Sequence, residues 1–333
     1  MTQDARVLAV DIGGTHTRLA LFDAQSDDRE PLMTPRSVTS HEAVGFDAIL
    51  AEYLRFAGSP ALDAVCIGAA GPVVDGGVAV TNLGWQLDAS ALSARLGAPV
   101  RLCNDLETTA FGMLGLPDDA FVVLQAGTRA RGAGNVAVVA AGTGYGEAVL
   151  VATDGGHRPA ATETGHTGFA PRDVEERELL AFLAHEHARV TLEHVVSGPG
   201  LRRLVAFAVA QRGGIAPREV QVALTAEDPN AGLVELARAG EPCCAAALAR
   251  FVACYGAAAG DAALRHLALG GVLIGGGIGP KLRAELAGGG FVEAFRDKGP
   301  YRALVESLPV ALCIAPNPAL LGAAGLARAL ARA

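Results

Sequence analysis

Residues 100–107 read Val100-Arg-Leu-Cys-Asn-Asp-Leu-Glu107. An apolar run enters the adjacent Asn104 and Asp105, and residues of about 105–115 carry a helical pattern. A strand feeding a helix through a polar junction is the unit of an α/β sheet, and open sheets of this class place their chemistry at such strand ends. A carboxylate there accepts a proton from a substrate hydroxyl, and an amide beside it orients the substrate. Asn and Asp are also favoured helix N-caps, so the pair alone reads equally as a cap or as catalytic machinery.

Working outward, residues 6–22 (Arg6-Val-Leu-Ala-Val-Asp-Ile-Gly-Gly-Thr-His-Thr-Arg-Leu-Ala-Leu-Phe22) give strand, glycine turn, strand. Residues 136–151 repeat that design around Gly142-Thr143-Gly144, which predicts two domains of related architecture. Further strands are expected at 64–69 and 78–81, and a helix at 42–57. Leu116-Pro-Asp-Asp119 reads as a connector, and the first domain boundary falls there. The second half turns helical, at about 174–189, 198–212, 231–239 and 242–268. A strand-glycine-helix unit follows at 271–286, its helix beginning near Pro280. A strand at 309–315 and a last Ala/Leu-rich helix from Asn317-Pro318 to Ala333 complete an α/β order.

The 333 residues are 51% hydrophobic and 19% charged, enough for a sizeable core. The net charge of −8 offers no broad attraction to nucleic acid or to an anionic membrane, so neither is expected as a partner. An anionic substrate would have to be held by local backbone donors. The N-terminal residues enter a strand without a long apolar signal core, and apolar stretches such as 136–141 are too short for a bilayer. Six cysteines (66, 103, 243, 244, 254, 313) form no Cys-x-x-Cys and sit in apolar surroundings. They read as reduced core residues of a cytoplasmic protein.

Three glycine turns end three strands. In Asp11-Ile-Gly13-Gly14-Thr15, successive N–H groups suit a phosphate, and Asp11 suits a hydrated Mg²⁺ beside it. Gly142-Thr143-Gly144 adds a hydroxyl to a second phosphate turn, and Gly275-Gly276-Gly277 would let a flat adenine lie on the backbone. Each alone is also ordinary turn chemistry; together they point to a nucleotide. Glu163-Thr-Gly-His166 and Glu193 supply carboxylates and an imidazole for vicinal hydroxyls, or a loop hydrogen-bond pair. A metal centre is not indicated, because His-Glu-x-x-His is absent and no cysteine accompanies them. His185-Glu186-His187 reads as a solvated helix face. Thr81-Asn82-Leu-Gly-Trp85 holds the only tryptophan, a substrate wall or a core aromatic.

In their order and spacing these residues resemble the bacterial ATP-dependent glucokinase family, over nearly the whole chain. The matching pieces also include Arg18, Ser197-Gly-Pro-Gly200, Asp297-Lys-Gly299 and Asn317-Pro-x-Leu-Leu-Gly322. The resemblance implies a two-domain actin-like (sugar kinase) α/β fold with an interdomain cleft. Residues 1–116 with 318–333 would form a small domain, and 117–317 a large one. It implies phosphoryl transfer from MgATP to glucose, with Asp105 as the base and Asn82, Asn104, Glu163, His166 and Glu193 holding the sugar. Asp11 would organise Mg²⁺, and the glycine turns would cradle ATP. Such enzymes are usually homodimers.

Three residues depart from the family pattern: His16 for the Asn after Gly-Gly-Thr, Thr164 for a glycine, and Gly168 for a common Asp. The cysteine-rich zinc motif of the related repressor–kinase group is absent. Competing readings are a kinase for mannose, fructose or an amino sugar, and a sugar-sensing regulator. The regulator would need a DNA-binding module, which is not expected ahead of a first strand beginning near Arg6.

Overall fold

The computed structural model describes residues 5–26, 29–81 and 83–333. They form two compact units: Met1–Ala120, Ala148–Ala161 and Ala315–Ala333 in the first, Phe121–Glu147 and Thr162–Ile314 in the second.

In the first unit, β1 (Arg6–Ile12) and β2 (His16–Asp23) form the expected antiparallel hairpin, and β3 (Arg36–Thr39) pairs with β2. Helix α1 (Phe46–Phe56) precedes β4 (Ala64–Ala69). Three short strands, β5 (Val73–Val74), β6 (Gly77–Ala79) and β7 (Gln86–Asp88), make a small separate sheet before α2 (Ala89–Leu96). Then β8 (Val100–Asn104) runs into α3 (Asp105–Leu114). The main sheet has the order β3-β2-β1-β4-β8, with β1, β4 and β8 parallel.

The chain continues with β9 (Phe121–Gln125), β10 (Val136–Ala141), β11 (Tyr145–Thr153) and β12 (Gly156–Thr162); β9, β10 and the start of β11 belong to the second unit, and Ala148–Ala161 to the first. The second unit's helices are α4 (Val174–Leu183), α5 (Gly198–Ala210), α6 (Arg218–Leu224), α7 (Pro229–Arg238) and the long α8 (Pro242–Arg265). After β13 (Val272–Gly275) come α9 (Ile278–Lys281), α10 (Arg283–Ala287), α11 (Gly290–Arg296) and α12 (Arg302–Glu306), then β14 (Val310–Cys313); the last helix, α13 (Pro318–Ala331), belongs to the first unit. The sheet order β12-β11-β10-β13-β14-β9 repeats the first sheet's third-second-first-fourth-fifth pattern, with β9 added at the edge. The related architecture expected from the two hairpins is therefore present.

Two expectations are corrected. The helix expected near Pro280 starts two residues earlier, at Ile278, directly after the glycines. The helix expected over 174–189 stops at Leu183, so His185-Glu186-His187 is not a helix face. His187 instead stacks on His194, with ring centroids 4.0 Å apart and planes 9° from parallel.

The cores follow from strand periodicity. Both faces of β1 are covered, so it reads as a continuous apolar run. Leu8, Val10 and Ile12 pack with Phe46, Ile49, Leu50 and Tyr53 of α1. Val7 and Ala9 turn the other way, with Ala20, Ala64 and Cys66, onto Leu320, Ala323, Ala324 and Ala327 of α13. Helix α8 is long and apolar enough to cross a membrane, with mean hydropathy 1.5, yet 72% of that window is buried inside the protein. It is a core helix, carrying Phe251, Tyr255 and Ala259 among the second unit's core residues. All six cysteines are buried thiols.

Helices α3 and α13 meet backbone to backbone. A Cβ on Gly112 would overlap the carbonyl oxygen of Pro318, and one on Gly322 the carbonyl oxygen of Thr108. Both partners are main chain and have little room to yield. Gly322→Ala should therefore lower stability by at least about 1–3 kcal/mol, the usual cost of overpacking. Urea unfolding measures this, and an unchanged midpoint would contradict the packing described.

Candidate functional site

The first unit presents its chemistry at the carboxyl edge of the parallel strands β1, β4 and β8. Register places Asp11 level with Gly68 and Cys103, and Ile12 level with Ala69 and Asn104. Asp105 follows as the first residue of α3.

The Asn-Asp pair divides its labour. Asn104 is the N-cap: its Oδ1 accepts the Leu106 N–H at 2.9 Å, and its Nδ2 donates to the Gly71 carbonyl at 3.1 Å. Its amide is thus held inside the protein, and the residue is only 8% exposed. Glu107 completes a capping box by accepting the Asn104 N–H at 2.9 Å. Burial pushes the Glu107 carboxyl upward, opposed by that N–H and by Arg101 and Arg158. Asp105 is half-buried, and its Oδ1 accepts the Leu106 N–H at 2.9 Å. A carboxylate in a helix's first turn is the charge its dipole favours.

The turn after β1 is braced from behind. The Gly13 N–H donates to the His16 carbonyl at 3.0 Å. The Ser40 hydroxyl donates to the Gly13 carbonyl at 2.9 Å and meets the Thr17 hydroxyl at 3.0 Å. Gly14 and Thr15 remain exposed, and no atom lies within 4 Å of where a Gly14 Cβ would be. A bulky anion therefore has access to this backbone. Asp11 is 7% exposed; burial pushes its carboxyl up, while Arg18, donating to Oδ2 at 3.2 Å, pulls it down. His16 is exposed at the start of β2. Asn82 lies outside the described residues. Trp85 is half-buried against the core, its ring 6.4 Å from that of Phe46.

In the second unit the glycine turns lie side by side, because Ala140 of β10 is in register with Gly275 of β13. Gly142 donates to the Gly144 carbonyl at 2.8 Å and accepts from the Gly198 N–H at 2.8 Å, which ties the turn to the start of α5. Ser197 caps α5 by accepting the Gly200 N–H at 3.0 Å and donates to the Glu193 carbonyl at 2.7 Å. The Glu193 carboxylate accepts the Tyr145 N–H at 2.9 Å. Gly276 backs onto the main chain of Ala141, and Thr143 and Gly277 face open space.

Glu163 and His166 flank a single 3₁₀ turn, Thr164–His166. Both are exposed, while Thr164 and Gly165 between them are buried. Thr164 hydrogen-bonds the Thr162 hydroxyl at 2.8 Å, so this departure from the family pattern serves the protein's interior. Gly168 forms a bridge with Thr191, and the Leu192 N–H donates to the Thr167 carbonyl at 3.0 Å. These bonds join the Glu163–His166 loop to the loop bearing Glu193.

Four contributing residues escaped the sequence reading. Glu107 had a signal, three residues after an N-cap candidate. Ser40, Tyr145 and His194 had none, since each acts through contacts distant in sequence or through a main-chain atom.

His194 Nδ1 accepts the Thr191 N–H at 3.0 Å and closes the short helix Leu192–His194 that carries Glu193. Burial, then His187 and Arg203, hold its imidazole below the ordinary 6.5, with Glu193 opposing. A lowered folded-state value means the neutral ring's stability is full above about pH 6.5 and is lost as pH falls through the folded value. Lowering the pH from about 7.5 to 5.5 should therefore cost wild type more thermal stability than His194→Asn, whose amide oxygen still accepts the N–H. Parallel losses in the two proteins would contradict this.

A model of the Glucokinase family matches residues 8–330. A glucokinase of Trichormus variabilis (strain ATCC 29413 / PCC 7937) is 34% identical over 334 residues, covering 96% of this chain and 97% of its own. The crystal structure of a glucokinase from an Antarctic psychrotroph aligns with TM-score 0.84 at 33% identity, over 97% of this chain and 99% of that one. The fold is also that of a ROK family glucokinase from Streptomyces griseus in complex with glucose and AMPPNP, with TM-score 0.62 at 21% identity over 98% and 100%. The chain belongs to the glucokinase family, ATP-dependent sugar kinases of mixed α/β fold.

Proposed function

We propose that this chain transfers the γ-phosphoryl group of MgATP to the 6-hydroxyl of glucose, giving glucose 6-phosphate and ADP, with Asp105 as general base. The observation that carries the assignment is the β8–α3 junction. Asn104 and Glu107 are consumed in capping, while Asp105 stands next to the cap at the carboxyl edge that also bears Asp11.

Phosphoryl transfer needs little covalent chemistry from the protein; positioning, charge neutralisation and a proton acceptor suffice. Asp105 takes the hydroxyl proton as the sugar oxygen attacks phosphorus and ADP leaves. Glu163, His166 and Glu193 hold the other hydroxyls, supported by the bonds that join their two loops. Asn82 and Asn104 complete the proposed sugar set, Asn104 mainly by orienting its neighbour. The turns Gly13-Gly14-Thr15, Gly142-Thr143-Gly144 and Gly275-Gly276-Gly277 offer ATP open approach to exposed backbone, with the Gly13 and Gly142 N–H groups spent on shaping their own turns.

Among the described residues no group of three His, Cys, Asp or Glu is arranged to hold a metal. Mg²⁺ does not require one, since it keeps several waters and uses one or two carboxylates plus substrate phosphates. Asp11 fits: it is a hard oxygen donor, and a nearby cation would offset the burial that disfavours its charge. When bound, the ion neutralises phosphate charge.

We assign residues 1–116 with 318–333 to the smaller domain and 117–317 to the larger, a division that differs from the two compact units chiefly at Ala148–Ala161. The packing of α13 on β1 supports the discontinuous first domain. A cytoplasmic homodimer is the proposed state, supported by six buried thiols and by the family's usual assembly.

Asp105→Ala should lower kcat by roughly 10²–10⁴, the range for loss of a general base. The protein should still fold, because Asn104 continues to accept the Leu106 N–H that Asp105 shares, and loss of one such bond costs only about 1 kcal/mol. Near-normal turnover by the folded variant would overturn the assignment.

A further inference from the structure

Within the turn Gly142-Thr143-Gly144, the two glycines have different surroundings. A Cβ built on Gly142 meets nothing within 4 Å. A Cβ on Gly144 would overlap Oε2 of Glu193, the same oxygen that accepts the Tyr145 N–H at 2.9 Å. Gly165 lies against the Tyr145 carbonyl, which a Cβ there would overlap, while the same Cβ would only touch the Glu193 oxygen, at 3.6 Å. The carboxylate is therefore seated in space that exists because residue 144 lacks a side chain. Its backbone is fixed independently by the Ser197 hydroxyl on the Glu193 carbonyl at 2.7 Å. With the main chain held, a side chain at 144 would displace the carboxylate.

We propose that Gly144 is a positioning residue for the sugar rather than a phosphate contact: its bare Cα seats the Glu193 carboxylate at the orientation in which it binds sugar hydroxyls. The proposal rests on the sugar-facing reading of Glu193. It divides one turn between two ligands, with Gly142 and Thr143 left to the nucleotide and Gly144 serving the sugar. A methyl group at 144 pushes the carboxylate out of the niche and unpairs it from Tyr145. Sugar binding then weakens, while the open side of the turn is untouched.

The test is a double-mutant cycle with full steady-state kinetics in both substrates. Gly144→Ala should raise the glucose KM by about tenfold or more, the size of one lost buried polar contact. The ATP KM, and kcat at saturating glucose, should stay within about twofold. In a Glu193→Ala background, adding Gly144→Ala should change the glucose KM by less than about twofold, because the group it displaces is gone. Thermal melting gives a second readout that holds even if the single variant folds poorly: Glu193→Ala should restore stability lost in Gly144→Ala. A raised ATP KM with an unchanged glucose KM would return Gly144 to the phosphate and overturn the proposal. Additive effects on glucose KM, or no rescue of stability, would overturn it too while leaving Glu193 as a sugar residue. An unchanged glucose KM in Glu193→Ala alone would overturn both assignments.

Discussion

The approach of α3 to α13 is the constraint on which the first unit's site depends. Gly112 lies against the main chain at Pro318, and Gly322 against the main chain at Thr108. Such a contact has no flexible side chain to absorb a shift, so it locates α3 as a rigid rod. The rod's first residue is Asp105, and the capping box of Asn104 and Glu107 fixes how β8 enters it. The role proposed for Asp105 needs such support, because small misplacements of a base are costly in phosphoryl transfer. Helix α13 comes from the far end of the chain, so one backbone contact ties the C-terminal segment to the first unit's candidate chemistry.

The electrostatics follow the same economy. A chain of net charge −8 binds a polyanionic substrate without a basic field. The proposed donors are local: main-chain N–H groups in turns exposed at Gly14 and Thr143, whose neighbours Gly13 and Gly142 are held from behind by Ser40 and Gly198. Buried acidic groups are balanced one by one, as at Asp11 with Arg18 and Glu176 with Arg172 and Arg250. In the second turn Gly144 leaves open the space that the Glu193 carboxylate fills.

Much of this was legible because it is local. The hairpin at 6–22, the strand end at 100–104 and the glycine turns each declare themselves within a few residues. What escaped was short or non-local. Strand β12, Gly-His-Arg-Pro-Ala-Ala-Thr, is a sheet edge without alternation and contains a proline, which edges tolerate. Helices α6, α11 and α12 are too brief to show a period. The cap-or-catalysis ambiguity at Asn104-Asp105 could not be resolved from residue types, since both suit both roles. The structure shows Asn104 as the cap, tied by its amide to Gly71, a hydrogen-bond partner distant in sequence. Glu163 and His166 were legible as a pair, but the bonds joining them to the Glu193 loop, through Gly168 and Thr167, were not.

The most direct test of the account is the product itself. Purified protein with ATP, Mg²⁺ and a panel of glucose, mannose, fructose and N-acetylglucosamine should be followed by initial rates of ADP release and by ³¹P NMR of the phosphorylated sugar. The account predicts fastest turnover with glucose and a single new resonance from a phosphate on the 6-oxygen. Preference for another hexose, phosphate at another carbon, or ADP release without a sugar phosphate would contradict it.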